Sequence, residues 1–133
     1  MLFRSCTTAT RYVLNSADVR PGMFIAAVGA DNEHKWEIDP ALFRRAKVVV
    51  DNLNQCASIG DLHHAIEAGT ATRETVHADL GSVAAGKRLG RESQDEITLF
   101  DSTGIALQDA VTGVLVLRES VARRLGRSFD LFA

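Results

Sequence analysis

Among the residues of this 133-residue chain, Asp31 is the one best placed for chemistry. It follows an apolar stretch, residues 23–28, that reads as a buried strand, and a tight Gly29-Ala30 turn that presents the carboxylate at the strand's end. In an open α/β sheet, ligands bind in the crevice beyond the carboxyl ends of the strands. A carboxylate there serves as general acid or base if a closed site raises its pKa, or it caps the following turn, a common task for Asp. Ser102-Thr103-Gly104 is a second candidate. At the start of a long helix its free N–H groups and partial positive charge suit a carboxamide, phosphate or carboxylate, with an ordinary Ser or Thr cap as the plainer reading. Lys35 and Trp36 share the loop after Asp31; taken alone, Lys35 is a solvated charge.

Other constellations fail on mechanism. Gly81 to Lys87 has the spacing G-x-x-x-x-G-K, but Arg88 stands where a phosphate loop needs Ser or Thr for magnesium, and the stretch lies in a helical pattern. His63, His64 and Glu67 sit close on one helix without a third metal ligand or an H-E-x-x-H signature, so a surface or interface role is expected. No G-x-S-x-G elbow supports a nucleophilic serine.

The elements that must position these residues follow in order. A short strand at residues 2–10 opens into Thr7-Thr8, and Arg20-Pro21-Gly22 turns the chain into the 23–28 strand. Residues 32–37 form a loop. Asp39 caps a brief helix with Pro40 at its first position. Residues 47–51, with a continuous valine run, read as a parallel strand covered on both faces. One helix is expected up to Gly69, a second over residues 76–85, a third confident strand at 96–100, and a long helix from Ser102 to Gly126 with Leu107, Val111, Val114 and Leu115 in its apolar stripe. Alternating strands and helices predict a mostly parallel sheet, with Thr7-Thr8, Asp31, Asp51 and Ser102 at a common crevice.

The totals agree with one globular domain: 46% of residues are apolar and 24% charged. A net charge of −2 lacks the basic excess that tracks nucleic acid or an acidic membrane. No apolar run suits a membrane span and no leader is legible, so a cytoplasmic location is expected. Cys6 and Cys56 are expected to be reduced, buried small residues.

The ordered set Thr7-Thr8, Arg20-Pro21-Gly22, Val28-Gly29-Ala30-Asp31 with Lys35, Glu37 and Asp39-Pro40, then Val48-Val49-Val50-Asp51, and finally Glu96 to Gly104 resembles the ornithine cyclodeaminase/μ-crystallin family over nearly the whole chain. The resemblance implies an α/β fold, a partial Rossmann-like, mostly parallel sheet flanked by helices. It implies NAD (or NADP) as cofactor, a small amino or imino acid as substrate, and a homo-oligomer. Asp31 matches the catalytic carboxylate. Lys35 and Ser102 match positions at the nicotinamide end of the cofactor, with Thr103 and Gly104 beside them. Thr7 and Thr8 fall at a cofactor-facing strand end, and Val28, Gly29 and Ala30 line the same edge. The resemblance admits a cyclodeaminase, a dehydrogenase or reductase, or a μ-crystallin-like binding protein without turnover.

The departures carry expectations too. No G-x-G-x-x-G occurs, and the family places that turn upstream, so residues 1–133 are expected to be the C-terminal portion of a Rossmann-like NAD(P)-binding domain, truncated and weakly active alone. Asn32-Glu33-His34 replaces a shorter turn. The strand before Thr7-Thr8 is expected to form an open edge, with self-association or marginal stability as the result.

Overall fold

Seven short segments pair into two parallel sheets in the computed structural model, which describes residues 1–130; the last three residues of the tail left unassigned by the sequence lie outside them. In chain order the elements are β1 (Leu2–Ser5), β2 (Thr10–Leu14), β3 (Phe24–Ala27), β4 (Trp36–Ile38), β5 (Lys47–Val50), α1 (Leu53–Ile59), α2 (Asp61–Glu67), β6 (Val76–Asp79), α3 (Leu80–Ala84), β7 (Thr98–Asp101) and α4 (Ala106–Ala122), with 3-10 turns at Ser16–Asp18, Pro40–Arg44 and Arg73–Thr75. The main sheet runs β1-β3-β7-β5-β6, parallel at every pairing. A two-stranded parallel ribbon, β2 with β4, lies beyond the carboxyl end of the first strand.

Alternation along each strand decides which face is covered. Ile25, Ala27, Val48, Val50 and Leu99 point into a core shared with Ile38, Leu42, Phe43, Cys56, Leu62 and Ala65, all buried. The opposite face is different. Phe24, Val49, Leu80, Val83 and Phe100 line an open apolar groove of about 420 Å³, rimmed by Lys47 and Arg91. The expectation that the valine strand is covered on both faces therefore fails: Val48 and Val50 are buried, whereas Val49 is half-buried and faces the groove.

Local chemistry explains the element ends. Asp39 accepts from Ala41 N at 3.0 Å with one oxygen and from Ser16 N at 3.0 Å with the other, so the expected cap also fastens the preceding turn. The helix expected up to Gly69 is two helices broken at Gly60. A Cβ there would lie 2.9 Å from Asp101 Oδ2, and the missing side chain is what lets that carboxylate reach the first turn of α2.

Other expectations need correction. Residues 36–38 form a strand rather than a loop, because they pair with β2, a strand with no sequence signal of its own. Residues 76–79 pair with β5 instead of starting a helix, and Asp79 then caps α3 by accepting from Ser82 N at 2.8 Å. Gly81 thus sits inside α3, so the glycine–lysine spacing is no phosphate loop. Cys56 is buried as expected, while Cys6 is exposed. The long helix starts at Ala106, with extended Ile105 as its uncapped first boundary, and its expected apolar stripe is exposed along its whole length. No helix among the described residues is long and apolar enough to cross a membrane.

Candidate functional site

Parallel pairing places the carboxyl ends of β1, β3 and β7 side by side. The next segments stay in register: Val28 N donates to Ser5 O at 3.0 Å, and Ser102 N donates to Ala27 O at 2.9 Å. Thr7, Gly29 and Ser102 therefore stand along one edge, as the sequence predicts.

Thr7 and Gly29 are joined through Glu37. Its Oε1 accepts from Ser5 Oγ at 2.6 Å, Thr7 N at 2.6 Å and Thr7 Oγ1 at 2.7 Å, and its Oε2 accepts from Gly29 N at 2.8 Å. Ala30 is buried, whereas Thr8 is exposed. Ser102 and Gly104 are joined through Asp51, whose Oδ2 accepts from Ser102 Oγ and from Gly104 N, both at 2.8 Å. These three residues are consequently not a helix N-terminus: α4 begins further on, and the Ser102 hydroxyl is spent on Asp51. Thr103 is buried, and its Oγ1 has no partner among the described residues.

Asp31 lies at the mouth, with its side chain 57% exposed, and pairs with Lys35 Nζ at 2.7 Å. The Lys35 ammonium lowers the Asp31 pKa, the reverse of the rise that acid–base work in a closed site would need. Among the described residues no hydrogen bond or ion pair joins Asp31 to Ser102 or Thr103, so the two halves of the expected constellation share an edge without touching. The loop carrying Lys35 is braced from below: His64 Nε2 donates to Lys35 O at 2.9 Å, and the His64 ring stacks on Trp36 with centroids 4.8 Å apart. This assigns His64 to bracing. His63 contacts Glu67 at 3.5 Å, and no group of metal-ligating side chains forms among the described residues.

Under the edge lies a cluster of buried carboxylates that sequence reading missed. Asp61 Oδ1 accepts from Glu37 N and Ile38 N, each at 2.8 Å. Asp101 accepts from Asp61 N at 3.3 Å and Leu62 N at 2.8 Å, neutralising the orphan donors at the start of α2. Burial pushes Asp61 up to about 7, with the Glu37 charge adding to the rise against the two backbone donors. Burial, then the neighbouring Asp61, raises Asp101 well above the usual carboxylate range. Burial likewise pushes the Cys56 thiol upward, so that it is a donor to Asp51, at 3.1 Å, and no nucleophile. Asp51 was legible as a strand-end acid, whereas Asp101 read only as part of the turn after its strand. Glu37 stood in the family pattern without a role, because its three-residue strand read as loop.

Known proteins resemble this chain in sequence and in fold. The alanine dehydrogenase of Archaeoglobus fulgidus is 38% identical over 95% of this chain, which spans 39% of that protein. The iminosuccinate reductase of Paracoccus denitrificans, solved in complex with NAD+, superposes with a TM-score of 0.87 at 35% identity, covering 98% of this chain and 40% of that one. The Δ1-pyrroline-2-carboxylate reductase of Thermococcus litoralis, solved with NADH and L-proline, gives 0.88 at 30% identity over 96% of this chain and 40% of its own. The chain thus spans about two fifths of the length of the relatives it matches. The model of one family matches residues 3–124. With the family model matched over nearly the whole chain and these relatives similar in sequence and fold, the chain belongs to the ornithine cyclodeaminase/mu-crystallin family.

Proposed function

We propose that this chain forms the nicotinamide side of an NAD(P)-binding crevice, as the C-terminal portion of a Rossmann-like domain, in an enzyme acting at the carbon–nitrogen bond of a small amino or imino acid. The observation that carries the reading is the alignment of Thr7, Gly29–Asp31 and Ser102–Gly104 at the carboxyl ends of three adjacent parallel strands. The residues present fit one end of the cofactor. The buried Thr103 hydroxyl is without a partner among the described residues and lies next to Ser102, where a carboxamide would supply one. Nothing in the 133 residues offers a G-x-G-x-x-G turn for the pyrophosphate.

When bound, the nicotinamide supplies or accepts a hydride at the substrate carbon. The residues of this chain do the rest. Lys35 holds Asp31 ionised at the mouth, in the form that accepts a proton; because the same pairing lowers its basicity, substrate entry must loosen the Lys35 contact before Asp31 takes a proton from the substrate nitrogen or from an attacking water and returns it in reverse. Ser102, fixed by Asp51, presents its hydroxyl lone pairs to the carboxamide. Relatives similar in sequence include alanine dehydrogenase, iminosuccinate reductase and pyrroline-carboxylate reductase, names that denote redox chemistry at a carbon bearing nitrogen and support an oxidoreductase reading, beside a cyclodeaminase-named relative at 40% identity that supports the lyase one.

Trp36, the single tryptophan, sits one residue from Lys35 and reports binding. Quenching of its fluorescence by micromolar NADH supports the reading. Absence of binding at millimolar NADH overturns it for this chain.

A further inference from the structure

Glu37 has no role in the site as described so far, yet it is fully buried and no Lys, Arg or His ion pair reaches it among the described residues. A carboxylate removed from water is costly unless its lone pairs are filled. Here four donors fill them, and all four belong to the two walls of the crevice: Ser5 and Thr7 at the end of β1, and Gly29 after β3. Such charge-assisted bonds are short and about twice as strong as neutral ones. The fit leaves no slack. A Cβ on Gly29 would lie 2.5 Å from both Glu37 Oε1 and Thr7 N, so the gap between the walls is the width of one carboxylate.

The carboxylate is itself referenced to the middle of the sheet. Asp61 holds the backbone N–H groups of Glu37 and Ile38, and Asp101, at the end of central β7, holds those of Asp61 and Leu62. The chain of bonds runs from β7 through α2 and β4 to the two loops. We propose that Glu37 is a positioning residue that fixes the spacing of the loops after β1 and β3, and through Gly29 the place at which Asp31 is presented. The inference rests on the reading of this edge as the nicotinamide site.

The test compares the native chain with Glu37→Gln, an isosteric change that turns an amide NH2 toward at least one donor, and with Glu67→Gln, a carboxylate on the exposed side of α2, as charge control. Amide exchange and chemical shifts are read for Thr7 and Gly29, and NADH affinity is titrated. Thr7 and Gly29 amides protected in the native chain, displaced and fast-exchanging in Glu37→Gln while Ile25, Val48 and Leu99 stay protected, are expected, with NADH binding weakened about tenfold, the cost of one buried donor left unpaired. Glu67→Gln leaves both readouts unchanged. Unprotected native Thr7 and Gly29 amides, or Glu37→Gln shifts and NADH affinity equal to native, overturn the proposal. A native chain that fails to bind NADH at all sinks the cofactor reading instead, and the two amides still decide the clamp. If Glu37→Gln does not fold, Ser5→Ala removes one donor and keeps the carboxylate; Thr7 and Gly29 shifts unmoved by it count against the clamp.

Discussion

Asp31 and Asp61 are both carboxylates near the same sheet edge, and their surroundings drive them in opposite directions. Asp31 is exposed and held ionised by Lys35, and under the proposed function its task is chemical; on that proposal Asp31→Asn is expected to leave the melting temperature unmoved and NADH affinity within about threefold, while turnover of an amino or imino acid falls about a hundredfold or more, read by steady-state kinetics. Asp61 is buried and pushed up to about 7 from an unfolded value near 3.8. The folded state therefore binds the extra proton over that window, and the stability it contributes is complete below the unfolded pKa and is lost as pH rises through the folded one. Thermal melts are expected to show the native chain more stable near pH 5.5 than near pH 8, with Asp61→Asn, which keeps an acceptor for Glu37 N and Ile38 N, flattening that slope. The lowered pKa values of the exposed Asp31, Glu74 and Asp79 and of the half-buried Glu96 act in the opposite sense but at more acidic pH, outside this interval. At this scale the sequence showed the acids at strand ends and the hydroxyls beside them. It did not show the role of Glu37 or the burial of Asp61, because a buried, hydrogen-bonded carboxylate and a solvated one are the same letter, and three of the four donors to Glu37 come from Ser5 and Thr7, 32 and 30 residues away.

Strands β3, β5 and β7 were legible because apolar, β-branched runs declare themselves locally, and the Asp39-Pro40 cap did so by its own chemistry. β2, β4 and β6 are strands only by virtue of what they pair with; Val76 to Asp79 shares apolar spacing with the helix that follows and is claimed by β5 across an intervening helix pair. The break between α1 and α2 has a similar origin, since Gly60 yields its side-chain space to Asp101. Gly60→Ala is expected to destabilise the chain by about 1–3 kcal/mol, the usual cost of overpacking a filled interior, and to lower its denaturation midpoint. Gly86→Ala, where nothing lies within 4 Å but φ is +70°, should cost about 1 kcal/mol from backbone strain alone.

Across the whole molecule, apolar surface is distributed unevenly. The core face is closed, but the groove face of the sheet, the edge strand β1 with Leu2 exposed, and α4 with Leu107, Val111, Val114, Leu115, Leu117 and Val121 exposed are all open. Apolar areas of this extent and an unpaired parallel edge both favour association. The chain is expected to self-associate in sedimentation at micromolar concentration, and Val111→Glu with Leu115→Glu should lower that tendency while leaving the melting temperature nearly unchanged, because both residues are largely exposed. A monomeric chain with a sharp, cooperative melt would refute the expectation.

The position of β7 has a consequence for synthesis. Among the described strands it comes last in the chain, yet it lies in the middle of the sheet, and β3 and β5 reach each other only through it. Until Thr98 to Asp101 leave the ribosome, β3 and β5 lack the strand that joins them, and small two-stranded pairings such as β5 with β6 are marginal in water. Chaperone demand should accordingly peak just before residue 98 emerges and fall sharply once it has.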